Sequence, residues 1–474
     1  MLSNGQSRLL PRRFRLILAS FLQRPGLPFA DALTEESIQS AFDAEGVSFA
    51  ADDDNIYTPA LTLWAFLSQV LFKGEHRSCV AAVARAMVLL VALERGPCST
   101  NTGAYCRARA KLSEAAIHRL AADVARECEK QVQKDWLWHG RHVHLVDGTT
   151  VSMPDTPANQ EAYPQPSSQQ EGLGFPVARL VVLLSLATGM LEDMAMGPYT
   201  GKETGETALL RQLLERFAPG DILLADRYYC SYFMIALLME AGVDFVTRVH
   251  QRREVDFQRG RRLGTGDHLV EWQRPQKPDW MDQETYDRMP LSIQIREIHV
   301  HVKQPGFRVE SLVVVTTLTD ADQYTPEDIA ALYGRRWLAE LDIRAIKVTM
   351  GMDILRCKTP PMFRKEIWTC LLSYNLIRRA MLQAARQSGQ RPRQLSFTTA
   401  MQAIASSWQV MASCNDSLAE RLGRAELKNL ADHLVGNRPG RVEPRAVKRR
   451  PKPHDLLMKP RAQARAELRG SAVA

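Results

Sequence analysis

Hydrophobic and polar positions change their period along this chain, and each change predicts a different kind of element. Up to about residue 135 the period is helical. "TPALTLWAFLSQVLF" (58–72) opens on a Thr cap followed by proline. "SCVAAVARAMVLLVALERG" (78–96) is Ala-rich and stops at Gly96-Pro97. "STNTGAYCRARAKLS" (99–113) and the amphipathic "EAAIHRLAADVARECEKQVQ" (114–133) follow. At residue 142 alternation takes over in "HVHLVDGTTVSMPD", and a Gly/Gln/Pro/Ser-rich loop spans 156–174. Residues 177–196 predict a buried hairpin turned at Thr188-Gly189. Then come a helix (205–217), an apolar strand in "DILLADRYYC" (221–230), a helix (232–242) and a strand (244–249). That order predicts an α/β sheet with Asp147 and Asp226 at strand ends. Residues 250–312 carry Gly/Pro turns between β-like runs, with Trp272 and Trp280 among them. The chain is helical again from about 360 to 434.

Between these regions lies "YTPEDIAALYGRRWLAELDIRAIK" (324–347). Thr325 is suited to cap a helix, Pro326 to its first position, and Glu327 and Asp328 to the positive end of its dipole. No proline recurs before Pro360, so one continuous helix is expected. At about 100° per residue, Tyr333, Arg336, Glu340 and Lys347 share a stripe within about 60° of arc, and Asp342 lies about 180° from Tyr333. An i,i+4 ion pair of Arg336 with Glu340 on a solvated face is the plainest use of that stripe. A phenol, a guanidinium and an amine around one carboxylate also suit a phosphate site. On this phase Asp342→Asn is expected to leave the chemistry nearly intact.

The composition is that of a globular protein, 45% hydrophobic and 24% charged. No apolar run approaches the roughly 18 residues of a membrane span. "LILASFL" (16–22) follows Arg12, Arg13 and Arg15 and is ended by Arg24, which reads as a surface helix and not as a signal peptide, in a cytoplasmic protein. The eight cysteines form no CxxC pair, and the HxH pairs at 142/144 and 299/301 read as alternating strand residues. Residues 438–470 hold eleven Lys/Arg against three Asp/Glu, so this segment alone carries the net charge of +8. Its five prolines rule out one helix, and it reads as a flexible basic arm, Lys448, Arg449 and Arg450 included, suited to nucleic acid. Arg107, Arg109 and Lys111 give the 99–113 helix a basic face that a helix-turn-helix would lay on DNA.

Asp147, Asp226 and Glu340 come from separate elements. Brought together they would repel one another, and a hard divalent cation, Mg²⁺ or Mn²⁺, relieves that repulsion while also taking substrate phosphate. At this point the residues match a family. Tyr333, Arg336, Glu340 and Lys347 stand with gaps of two, three and six residues, after two strand-end aspartates. The chain thereby resembles bacterial DDE transposases of the insertion-sequence-four group, over most of its length. "SCVAAVARA", "CSTNTGAYCRARAKL" and "KRRPKPHDLLMKPR" add to the likeness.

The resemblance implies an RNase H-like α/β core in two parts (136–250 and 319–390). Around it stand a β-rich insertion (251–318), a helical DNA-binding N-terminal domain (1–135), and a helical C-terminal region with its basic arm (391–474). It implies a cut-and-paste transposase acting at inverted-repeat ends on the bacterial nucleoid. The three acids would hold the metals, and Arg336 and Lys347 would grip phosphates. Tyr333 would lie on the terminal backbone, Trp272 or Trp280 would stack a flipped base, and a homodimer would pair two ends. One departure is Tyr228, where relatives usually carry a small residue before an aromatic. A metal-dependent nuclease on the same core, or a DNA-binding regulator without catalysis, fits the same chain less fully.

Overall fold

The computed structural model describes residues 33, 35–47, 56–72, 74–92, 97–301, 311–413, 416–436 and 457–471. The expected helix at 16–22 and Lys448, Arg449 and Arg450 lie outside these residues.

Among the described residues five helices come first: α1 (Glu35–Asp43), α2 (Pro59–Leu71), α3 (Cys79–Ala92), α4 (Gly103–Lys111) and α5 (Glu114–Glu129). Caps written in the sequence start two of them. Thr58 accepts from the Leu61 amide at 3.2 Å, and Ser113 from the Ala116 amide at 3.2 Å. Every residue of α2 is buried, because the long helix α12 (Pro360–Ser388) and its neighbours close around it. The helical segment therefore shares one apolar core with the sheet. A buried Arg77–Glu366 pair at 3.4 Å and an Arg77 bond to the Gly351 carbonyl at 2.6 Å tie it to the later chain.

Among the described residues the strands form one nine-stranded sheet, ordered β3-β2-β1-β4-β5-β9-β8-β7-β6. β1 (Val143–Ser152) runs antiparallel to β2 (Val177–Ser185), which pairs with β3 (Leu191–Pro198). On its other side β1 runs parallel to β4 (Ile222–Leu224), and β4 to β5 (Asp244–Arg248). The helices α7 (Glu206–Arg211) and α8 (Tyr232–Glu240) make these crossovers, after a short α6 (Pro157–Ala162). The stretch 251–318 supplies β6 (Arg261–Gly264), β7 (Asp267–Gln273), α9 (Gln283–Arg288), β8 (Ser292–His301) and β9 (Ser311–Thr316). Because β9 pairs with β5, this stretch extends the core sheet. Alternation divides the sheet. Leu145, Leu224 and Val246 face the large helical core, and Val146, Leu223 and Phe245 face α7 and α8. After β9 come α10 (Pro326–Gly334), α11 (Trp337–Arg344), α12, α13 (Phe397–Ser413) and α14 (Asp416–Asp432). Among the described residues no helix is long and apolar enough to cross a membrane.

The basic arm needs a correction. All five of its prolines lie at or before Pro460, so nothing prevents a helix beyond, and α15 occupies Arg461–Ser471. Pro460 packs against Gly172 of the 156–174 loop, and Arg461, Arg465 and Arg469 recur every four residues on an exposed helix.

Of the HxH pairs, His144 is a buried strand residue. Its Nδ1 lies 2.5 Å from Glu192, and its Nε2 lies 3.0 Å from Asp221. Burial alone would lower its pKa, but the two carboxylates outweigh burial and push it up to about 10. A group raised in this way stabilises the fold fully below its unfolded value of roughly 6.5 and loses that effect as pH rises through about 10. Wild type should therefore lose stability between pH 7 and 10, by up to about 1.4 kcal/mol per pH unit from this residue. His144→Gln should flatten the slope, read as denaturant midpoint against pH. Parallel slopes would show that His144 folds neutral.

Candidate active site

Asp147 and Asp226 reach the same depth in the sheet, Asp226 two residues past the end of β4 and Asp147, against the strand-end expectation, in the middle of β1, which runs on to Ser152 because it stays paired with β2. Leu145 pairs with Leu224 in the parallel β1–β4 ladder, and each aspartate stands two residues further on, facing the same side as its leucine. Each carboxylate accepts from the next amide, Asp147 from Gly148 at 2.8 Å and Asp226 from Arg227 at 2.7 Å. Asp226 also caps a single 3₁₀ turn, Arg227–Tyr229, so its capping role and its place at the site coexist.

Glu340 comes from the helix side of the sheet, and the expected continuous helix is corrected here. The chain turns tightly at Arg335–Arg336, where the amides of Arg335, Arg336, Leu338 and Ala339 bond three residues back. A π-helical turn then spans Ala345–Thr349. The first feature tightens the rotation and the second loosens it, so the four motif residues still gather on the side facing β1. Arg336 is their hub. It donates to Glu340 Oε1 at 2.6 Å, and its other terminal nitrogen lies 3.9 Å from Asp147 Oδ2. Tyr333, half-buried, lies against Arg336, and burial raises its phenol above the usual range. From the π turn, Lys347 donates to the Thr150 carbonyl of β1 at 2.7 Å. Burial lowers its amine below the usual value. Glu340 thus keeps the ion pair of the plainest reading, and Arg336 extends that pair to Asp147 of β1. Asp342 does lie on the opposite face, but that face is core: it is 2% exposed and bonded to Arg378 and Arg393.

The surroundings are acidic. Burial pushes the Asp147 carboxyl up to about 6; the Gly148 amide and Arg336 pull it down, while Glu206 and Glu340 push it further up. Glu206, the first residue of α7, is a fourth acid that sequence reasoning missed. Burial raises it, and Asp226 adds to the rise. Tyr229 donates to it at 3.2 Å. Its carboxylate fills the space a side chain on Gly148 would need, so glycine at 148 is what lets it approach Asp147. Nothing in "GETALL" marks Glu206 as more than a helix-opening residue. A second ring also escaped notice. Trp337 sits inside the motif, is 51% exposed, and flanks Arg336.

Oxygen-only donors such as these carboxylates suit a hard cation such as Mg²⁺ or Mn²⁺. Among the described residues no three acid, histidine or cysteine side chains are gathered tightly enough to hold a metal together. The guanidinium of Arg336 is the cation between Asp147 and Glu340.

The other expected contacts fare unevenly. Trp272 is 3% exposed, bonds Glu297 through its indole at 3.1 Å and lies under Arg253, so as placed it has no free face for a base. Alternation on β7 turns it into the core. Trp280 is half-buried beneath Arg211. Arg109 donates to Gln69 at 3.0 Å and covers Phe66 and Tyr105, which makes it a packing residue. Arg107 and Lys111 are exposed. Tyr228 is 54% exposed beside Gly205.

Two aspartates of adjacent sheet segments beside a motif helix define the class, and comparison with known proteins agrees. Residues 138–376 match the family described as the transposase DDE domain, and the chain belongs to that family. It is 26% identical over 366 residues to the transposase InsG of insertion sequence element IS4 from Escherichia coli K12, covering 73% of this chain and 76% of that protein. Among solved structures it is similar to the piggyBac transposase in a synaptic complex with hairpin DNA, with a TM-score of 0.43, 10% identity and coverage of 92% and 89%.

Proposed function

We propose that the protein is a cut-and-paste DNA transposase that cleaves and joins DNA at the inverted-repeat ends of an insertion sequence. One observation carries the reading. Asp147 within β1 and Asp226 just past the end of its parallel neighbour β4 stand at matched depth, and Arg336 links Glu340 to the first of them. The antiparallel β3-β2-β1 unit continued by parallel β4 and β5 supports an RNase H-like core.

On this reading Asp147, Asp226 and Glu340 would hold Mg²⁺ or Mn²⁺, which supplies charge stabilisation for in-line phosphoryl displacement. Arg336 and Lys347 bind phosphate oxygens near the cleaved end, and Tyr333 packs on the terminal backbone. With Trp272 enclosed, Trp337 is the better placed ring for stacking a base. Arg107 and Lys111, the arm with Lys448, Arg449 and Arg450, and the arginines of α15 provide sequence-independent grip on duplex DNA at the ends and the target. A homodimer pairs the two ends, in the bacterial cytoplasm at the nucleoid.

The test is purified protein with Mg²⁺ and DNA carrying the gene's native flanks. Nicking at the element boundary followed by joining of the new 3′ end to a second duplex is expected. Nicking without joining would establish the nuclease instead, and binding without nicking the regulator.

A further inference from the structure

We propose that Arg248 is a phosphate-binding residue of the active site, holding a DNA backbone phosphodiester beside the one that is cut. The proposal rests on the transposase reading above.

The register of the sheet places it. Leu145, Leu224 and Val246 are paired across the parallel strands β1, β4 and β5. Two residues further along each segment stand Asp147, Asp226 and Arg248. Alternation turns all three toward the side of the sheet that holds the helical core and the motif helices. Neighbouring strands lie about 4.8 Å apart, so the row puts Arg248 roughly 10 Å from Asp147, on the far side of Asp226. The row is held beyond the end of β4. The Ala225 amide donates to the Val246 carbonyl at 3.0 Å, and the buried Thr247 hydroxyl donates to the Asp226 carbonyl at 3.0 Å. Tyr333 closes the row from α10. Burial raises its phenol, Arg336 and Arg248 pull it down, and Asp226 pushes it up, so both guanidinium groups and the aspartate lie around one ring.

Arg248 is half-buried, yet among the described residues its side chain makes no hydrogen bond or ion pair. The other strand arginines that are not exposed are bonded within the protein. Arg179 of β2 donates to the Thr204 carbonyl at 2.7 Å, and Arg296 of β8 to Asp267 at 2.9 and 2.7 Å. At the active site, Arg336 is taken up by Glu340 and Asp147, and Lys347 by the Thr150 carbonyl. Arg248 therefore keeps five N–H donors and a permanent charge without a protein acceptor. A planar fork of this kind suits a phosphodiester, which accepts two of its donors at once. Its place in the row selects the phosphate. The three acids mark where the scissile phosphate lies. Arg336 and Lys347 stand at the β1 end of the row and Arg248 at the β5 end, so a DNA strand crossing the row meets a cation on either side of the cut.

The experiment measures binding of native-flank DNA to the full chain in EDTA, with one uncharged methylphosphonate replacing each phosphate around the cut in turn. Cleavage of unmodified DNA with Mg²⁺ and the melting temperature are read in parallel. For wild type, one such replacement next to the cut is expected to cost about tenfold in affinity. Arg248→Gln should lose about tenfold on unmodified DNA and be indifferent to that replacement. Its melting temperature should match wild type, because no protein partner is lost. Arg248→Lys keeps the charge without the fork and should fall between. Wild-type affinity in Arg248→Gln, or the same methylphosphonate penalty in both proteins, would overturn the role of Arg248, and cleavage by wild type would then leave the transposase reading standing. No cleavage by wild type would overturn that reading and the proposal with it. Should Arg248→Gln fail to fold, Arg248→Met, which keeps the apolar stem, takes its place. Failure of both to fold would assign Arg248 to the fold and overturn the proposal.

Discussion

Glu340→Gln should abolish strand cleavage on native-flank DNA, by about 10³-fold or more, while DNA affinity stays within about threefold. The size follows from the role proposed for the carboxylate. Charge stabilisation worth several kcal/mol is lost with one metal ligand, and each 1.4 kcal/mol is a factor of ten in rate. The fold should survive, because the Glu340 side chain is 37% exposed and its pair with Arg336 is a partly solvated i,i+4 pair. Such pairs contribute at most about 1 kcal/mol. Glutamine keeps the shape and can still accept from Arg336, so duplex grip by basic residues elsewhere is untouched. Cleavage assays and gel shifts on the same preparations separate the two effects. Equal cleavage by wild type and variant would remove Glu340 from the chemistry. Loss of both cleavage and binding would show that the Arg336–Glu340 pair shapes the DNA surface.

How much of this was legible in the sequence depended on whether local pattern or tertiary contact decided each feature. The place of Asp226 just past an apolar strand was legible, because β4 is a short apolar run that stops two residues before it; Asp147 was not at a strand end, because β1 continues through it to Ser152, paired all the way with β2. The motif stripe was legible too, although its helix is interrupted. The tight turn at 335–336 and the π turn at 345–349 nearly cancel in phase, and no residue type announces either. Glu206 was not legible, because its importance comes from the missing side chain of Gly148, 58 positions earlier in the chain. Trp272 and Arg109 misled for a shared reason. Large amphipathic side chains look like binding residues in sequence, yet both bury their rings or stems here and satisfy their polar ends internally. The tail after Pro460 was misread by averaging. All prolines of the basic segment lie at or before Pro460, while the eleven residues of α15 hold none.

Asp342→Asn should destabilise the protein by about 3–5 kcal/mol, the cost of leaving buried charge without its partner. The rotation along the helix correctly turned Asp342 away from the motif stripe, but the side opposite the stripe is core and not solvent. Asp342 is 2% exposed and takes Arg378 on one oxygen and Arg393 on the other, the latter at 2.8 Å. Arg378 is also bonded to the Tyr374 hydroxyl at 2.9 Å. Arg393 donates to the carbonyls of Leu186 and Ser185 at 2.5 and 2.6 Å. One carboxylate therefore clamps α11 to α12 and to the β2–β3 turn. Asparagine keeps one acceptor, turns an N–H₂ toward a guanidinium, and leaves two cations in low dielectric with no anion. Against a typical total stability of about 5–15 kcal/mol, that is a large fraction. Because α11 also carries Glu340, cleavage should fall together with the folded fraction, and unlike Glu340→Gln the variant should lose DNA binding as well. Urea unfolding with wild type alongside measures the effect. Superimposable transitions would mean that the three groups are solvated in solution and that α11 is held from its other face.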